Sequence, residues 1–188
     1  RPNFAGHLQP QLPGELGWYD LTEPAPRLRQ AALAREHGID AFCYYHYWFG
    51  NGKRVLERPF AEVLASGEPD FPFCLCWANE TWSGVWHGAE NRVLIEQTYP
   101  GAEDDQRHFD SLLPAFNDRR YMKVDGKPIF VVYRPFKITD TKATIARWRE
   151  MAARAGLPGI YFVGVCSADQ PNPEDFGFDA SIYNANAP

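Results

Sequence analysis

The 188-residue sequence holds neither G-x-G-x-x-G nor G-x-x-x-x-G-K-[ST], so no strand-to-helix turn is marked as a nucleotide phosphate cradle. No apolar run approaches the eighteen or so residues that cross a bilayer, and no transmembrane segment is expected. Positive charge is in deficit. The 19 Lys and Arg against 24 Asp and Glu leave a formal net charge of −5, which excludes the basic footprint of a nucleic-acid binder. There is no Asp-x-Asp to hold a metal and a nucleotide diphosphate, no G-x-S-x-G, no internal repeat and no low-complexity tract. Cysteine is scarce. Cys43, Cys74, Cys76 and Cys166 each sit in an apolar, strand-like run. They are expected as buried free thiols rather than disulfides or metal ligands. Such usage points to a reducing, cytoplasmic setting. No metal and no cofactor are expected.

Aromatic residues are abundant, with 13 Phe, 9 Tyr and 6 Trp. The rest of the composition, 45% hydrophobic and 23% charged, is that of a folded globule. After a Pro/Gly-rich stretch from Pro2 to Gly17, a helix runs from about Asp20 to His37, capped by Thr22 or Asp20 and closed by Gly38. Further helices are predicted over about Leu56–Ser66, Glu103–Phe116 and Thr141–Ala155, with Pro114 ending or distorting the third. Strands are predicted at Ile39–Tyr45, Phe71–Trp77, Pro128–Tyr133, Ile160–Cys166 and Ala180–Tyr183. Asp125-Gly126 turns a hairpin into the third strand, and Asn79–Tyr99 reads as a long loop.

Helices alternating with short runs that are apolar on both faces indicate βαβ units and a buried parallel sheet. A doubly wound nucleotide fold lacks its glycine fingerprint here. A (β/α)8 barrel needs about 250 residues and eight strands. The expected fold is therefore α/β, an incomplete (β/α)8 TIM-type barrel of about five parallel strands. Residues 1–188 would form one partial domain, lacking the first strand and the last two or three. Neither end of the sequence reads as a finished domain edge, and the two open sheet edges are expected to cost stability.

In such folds the chemistry sits at the carboxyl ends of the strands. There the sequence places Tyr44, Tyr45, His46, Tyr47, Trp48 and Phe49, then Trp77, Asn79, Glu80 and Trp82, then Tyr133 and Arg134. About a third of the aromatics fall at these ends, which reads as a sugar cleft or as bulky packing. Glu80, between Trp77 and Trp82, is the leading catalytic carboxylate, because partial desolvation would raise its pKa toward that of a general acid. The plainer alternative is a loop Glu ion-paired to Arg134 or Arg92. His46 is the second catalytic candidate, to share a proton or bind a hydroxyl. Tyr44, Tyr45, Tyr47, Trp48, Trp77, Asn79, Trp82, Tyr133 and Arg134 are the candidate substrate-binding residues. Glu96, Glu90, Asp169 and Asp179 are weaker candidates for the second carboxylate that glycosyl chemistry usually needs. Asn79-Glu80-Thr81 is also an N-glycosylation sequon, which would set a glycan on that carboxylate.

Four segments together, Gly38–Phe49, Phe71–Trp82, Leu94–Tyr99 and Gly126–Arg134, resemble the WbsX-type glycosyltransferase domain, which is similar to glycoside hydrolase family 99, the endo-α-mannosidases. The resemblance implies a (β/α)8 barrel in a bacterial carbohydrate-active enzyme, either a glycosyltransferase or glycoside hydrolase-like. It implies glycosyl transfer or hydrolysis in the synthesis of surface polysaccharide such as lipopolysaccharide O-antigen. The alternative is a non-catalytic saccharide-binding barrel. The implied partners are a saccharide substrate and a nucleotide-sugar or lipid-linked donor. The sugar site maps onto Tyr45, His46, Trp77, Asn79, Glu80 and Tyr133. The family's paired catalytic glutamates have no counterpart in these residues, which implies a substrate-binding role for Glu80 and a chain that is inactive by itself.

Overall fold

The structure, a computed structural model, describes residues 4–6, 13–85 and 88–184. Much of the Pro/Gly-rich opening stretch, residues 1–3 and 7–12, lies outside them. Helix α1 (Pro24–Glu36) begins at a proline, which is preset for a first helical turn. Glu23 is its N-cap and makes no side-chain cap bond. The expected cap Asp20 instead folds the preceding turn by accepting from the Thr22 N–H and hydroxyl. Strand β1 (Phe42–His46) leads to α2 (Arg58–Ser66), which starts two residues later than expected because Leu56 sits at φ +57°. Strand β2 (Phe73–Trp77) follows.

The expected loop over 79–99 is largely an antiparallel hairpin, β3 (Trp82–Gly84) with β4 (Ala89–Ile95). Its register slips twice, and such bulges erase the alternation that would have marked it. Helix α3 (Ala102–Phe116) carries Pro114 in its last turn without ending there. Strands β5 (Lys123–Val124) and β6 (Lys127–Val132) form the predicted hairpin. Asp125 and Gly126 both adopt positive φ, as a type I′ turn requires. Helix α4 (Thr141–Arg154), with Asp140 as its side-chain cap, precedes β7 (Tyr161–Cys166) and β8 (Ala180–Tyr183).

The main sheet runs β1-β2-β6-β7-β8, and every one of these neighbours is parallel. The fold is thus α/β with five parallel strands and intervening helices. Strand order follows chain order without reversing, whereas a doubly wound sheet reverses at its switch point. Right-handed crossovers in one direction put every connecting helix on one face. The opposite face is the one that lines the interior of a (β/α) barrel. Among the described residues β1 and β8 are the edges of this sheet.

Register assigns the faces. Phe42, Tyr44 and His46 pair with Phe73, Leu75 and Trp77, so these six share a side. Tyr44 packs on Phe60 of α2, which identifies that side as the helix layer. There α3 and α4 press Phe109, Phe116 and Trp148 onto Phe130 and Phe162, all buried. Each such ring contributes about 1.5–3 kcal/mol by leaving water.

One polar pair packs in this layer, with His108 buried and His46 partly so. The Nε2 atoms of His46 and His108 lie 2.8 Å apart, so one imidazole donates and the other accepts. Trp48 stacks on His108 at 4.7 Å, and its indole N–H donates to Asp104 Oδ2 at 2.9 Å. Burial, helped by the Arg54 charge, lowers His46 to about 3. Burial lowers His108 as well, with the charges of His46 and Arg54 adding to it. An imidazole with a depressed folded pKa binds protons better when unfolded. Its stabilising contribution is complete above about pH 6.5 and is lost as pH falls toward the folded value. Between pH 7 and pH 5 the pair is expected to cost about 2–4 kcal/mol of unfolding free energy. Denaturant titrations of the full-length protein at both values check this. The double variant His46→Leu/His108→Leu should show a correspondingly shallower pH dependence, and an unchanged one would remove the pair from the account.

Candidate functional site

On the face away from the helices, the strand ends bring four rings into one arc. Tyr133, just beyond β6, meets Tyr45 edge-to-face at 6.2 Å. Tyr45 lies over Tyr47 at 6.4 Å, and Tyr47 meets Trp82 of the hairpin at 5.2 Å. Phe49 closes the far end against Trp82 at 5.5 Å. Tyr45 is 58% exposed although it stands in the sheet. Partial burial raises the phenols of Tyr45 and Tyr47, so both remain neutral hydroxyls that can donate. The hairpin is tied to the β1 loop. The Thr98 N–H and hydroxyl both donate to Phe49 O, at 3.1 and 3.0 Å. Gly50 permits this approach, since a Cβ there would fall 2.3 Å from Thr98 Oγ1.

At the Tyr133 end the Arg134 guanidinium lies over the Tyr133 ring at 4.6 Å, and its Nε donates to Glu80 Oε1 at 2.8 Å. Glu80 is therefore ion-paired, and its side chain is 43% exposed. Glu80 and Lys137 line two cavities. One, of about 500 Å³, adds Arg134, Asp169 and Gln170, and the other, of about 350 Å³, adds Asn79, Thr81, Gln97 and Tyr99.

Asn79 holds this corner together. It is fully buried, and its amide N–H groups donate to Tyr99 Oη at 2.9 Å and Arg134 O at 2.8 Å. Its carbonyl accepts from the Arg134 N–H at 2.8 Å, and the Tyr99 hydroxyl returns a bond to Asn79 O at 3.2 Å. Burial pushes Tyr99 up to about 12. An amide whose two hydrogens are both engaged inside the protein cannot carry a glycan, so the sequon is closed in the folded chain.

The expected site residues thus divide. Tyr45, Tyr47, Trp82, Tyr133, Arg134 and Glu80 come together. His46, Tyr44, Trp48 and Trp77 do not join them. His46 turns to His108, Tyr44 to Phe60, and the buried Trp77 indole N–H donates to Trp48 O at 3.0 Å. These four lie on the helix side of the sheet, and the Asn79 side-chain amide is engaged within the protein. Among the weaker carboxylates, Asp169 shares the larger cavity, held ionised by the Ser167 hydroxyl. Asp179 is taken by the Phe162 N–H and Arg149, and Glu96 is exposed. The side chain of Glu90 lies outside the described residues. Sequence pattern alone does not single out Lys137, Gln170 or Tyr99. Lys137 follows Tyr133-Arg134-Pro135-Phe136, so its place just past a strand end was a signal. Among the described residues no group of three or more His, Cys, Asp or Glu is arranged to hold a metal ion.

The profile of the family described as Glycosyltransferase WbsX matches residues 1–187. The chain belongs to the WbsX family. It is 41% identical over 181 residues to an uncharacterized protein, WxcX, of Xanthomonas campestris pv. campestris, in strains B100 and ATCC 33913 alike. That match covers 96% of this chain and 26% of WxcX, so the WbsX chain spans about a quarter of the length of these relatives. Among solved structures it is similar to a glycoside hydrolase-like protein, with TM-score 0.62, 18% identity and 90% of this chain matched to 52% of that one. It is also similar to the GH99 endo-α-mannosidase of Bacteroides thetaiotaomicron, with TM-score 0.57, 14% identity and coverage of 89% and 48%. At these identities the likeness is one of fold, that of the GH99 TIM-barrel enzymes.

Asn79→Ala in this WbsX domain leaves the Arg134 N–H and C=O without partners, and should cost about 2–4 kcal/mol in denaturant unfolding. Asn79→Asp should be nearly as harmful, because a carboxylate cannot donate to Arg134 O. Native-like stability in both variants would show that the corner does not depend on the amide.

Proposed function

We propose that this domain forms the saccharide-binding wall of a carbohydrate-active enzyme that transfers or hydrolyses glycosyl groups. The observation that carries the reading is the unbroken arc from Trp82 through Tyr47, Tyr45 and Tyr133 to the Arg134–Glu80 pair. Aromatic faces suit the apolar C–H faces of pyranose rings, and the phenol tips and the ion pair suit their hydroxyls. The arc stands at the carboxyl ends of parallel strands, where barrel enzymes keep their sites. Glu80, ion-paired and open to solvent, serves here as a substrate-binding carboxylate rather than as the proton donor.

Membership in the WbsX family supports a transferase that builds bacterial surface polysaccharide from a nucleotide-sugar or lipid-linked donor. The hydrolase-like fold supports glycoside cleavage. Assay of the full-length protein for consumption of nucleotide-sugar donors separates the two. In the same reading, segments of the full-length protein outside these residues complete the barrel along the β1 and β8 edges.

Saccharide binding by the full-length protein, measured calorimetrically against bacterial polysaccharide fragments, tests the arc. Trp82→Ala and Tyr47→Ala should each weaken binding about tenfold. Glu80→Gln should weaken it by a similar factor, because the neutral amide loses the charge-assisted bond to Arg134. His46→Gln, on the helix side, should leave the affinity of the folded protein within about twofold. Equal losses from all four variants would dissociate binding from the arc. Binding without turnover of any donor or glycoside would make the domain a binding barrel.

A further inference from the structure

We propose that the Arg134 end of the cleft takes an acidic sugar, whose carboxylate docks on the unspent edge of the Arg134 guanidinium beside Lys137. The inference rests on the saccharide-binding reading above and names the substrate class within it. The guanidinium is held from two sides. It lies over the Tyr133 ring at 4.6 Å, and Nε donates to Glu80 Oε1 at 2.8 Å. The side chain is only 14% exposed. Glu80 nevertheless takes a single donor of the five that a guanidinium carries. Among the described residues neither Nη atom makes a hydrogen bond, and neither is shut away from solvent. The Nη1–Nη2 edge is therefore fixed, unspent and open, and the space that Arg134 lines is the cavity of about 500 Å³.

Donors prevail around that edge. Lys137 lines the same cavity, is exposed, and has no ion-pair partner among the described residues. Gln170 spends its carbonyl on the Ser167 N–H at 3.2 Å, and its two amide hydrogens are engaged by none of the described residues. Two carboxylates stand against these donors. Glu80 is already matched by Arg134, and exposed Asp169 accepts the Ser167 hydroxyl at 2.6 Å. A neutral sugar brings hydroxyls that donate as well as accept, and would leave much of the donor surplus unmatched. A carboxylate only accepts, and its two oxygens fit a guanidinium edge side by side. A phosphate shares the charge and lacks the cradle. No glycine lines the cavity, and Pro135 and Pro171, which do, have no N–H to offer. The cavity lies between the loops that follow β6 and β7. Strand β6 stands between β2 and β7, and β7 between β6 and β8, so the site does not depend on an open sheet edge.

Calorimetry on the full-length protein tests this with fragments of uronate-containing bacterial polysaccharides. Each fragment is titrated as it is and with its carboxyl groups reduced to alcohols. The acidic form should bind about tenfold tighter than its reduced twin. Lys137→Gln should cut that ratio about threefold. Arg134→Lys, which keeps the charge and loses the flat edge, should cut it at least as far. Asp169→Asn removes the opposing charge and should raise the ratio, a sign that a neutral ligand would not give. Trp82→Ala should weaken both forms alike and leave the ratio unchanged. Equal affinity for acidic and reduced forms would overturn the inference and leave the saccharide-binding reading standing, whereas no binding of either form would overturn both. A ratio indifferent to Lys137→Gln and Arg134→Lys, or tighter binding of a phosphorylated neutral fragment than of any uronate, would also count against it.

Discussion

The residue-against-residue pairing of β1 with β2, from Phe42–Phe73 to His46–Trp77, decides what every side chain at this end of the sheet can do. A slip of one position would exchange the two faces and bury the exposed tyrosines under the helices. The register is held because the helix side is selective. Tyr44 fits Phe60, and His46 has one polar partner, His108, in an otherwise apolar layer. A misregistered strand would leave that imidazole nitrogen unpaired, which typically costs about 1–3 kcal/mol. The histidine pair thus stands on the helix side of the sheet and still sets which rings reach the open face.

Support for the open face comes from below. The Asn79 amide fixes the Arg134 backbone, and Arg134 in turn faces both Tyr133 and Glu80. A saturated amide of this kind does what a longer side chain cannot, because each of its polar atoms is committed and none is left to wander. The ion pair that it positions is partly exposed and contributes little to stability. Its value lies in presenting a carboxylate and a guanidinium in fixed geometry beside the rings.

The alternation of helices with doubly apolar runs is enough to read the parallel sheet, and the strand ends mark where its aromatic residues gather. What could not be read was facing. All five residues of β2 are buried, so its sequence carries no alternation to say which of them points to the helices. Trp77 therefore looked as available as Tyr45, and His46 as available as Tyr47. The β3–β4 hairpin was missed because its bulges break the period of two. The chemistry of Asn79 suits a sugar hydroxyl, and sequence alone does not reveal the three backbone and phenol groups, distant in the chain, that engage its amide. Conversely, Asp125-Gly126 was legible because a type I′ turn leaves its two central residues almost no alternative.

The hairpin that carries Trp82 is fastened at its base. The Gln97 N–H donates to Thr81 Oγ1 at 3.0 Å, and Thr98 is clamped to Phe49 across the side-chain-free Gly50. Both fastenings lie outside the strands themselves. The described part of the segment between Thr81 and Gln97 is therefore a cassette seated at its two ends and through Trp82. Grafts made within those bounds would re-sculpt one bank of the cleft and leave the sheet untouched, whereas a side chain at Gly50 would unseat the cassette whatever its sequence.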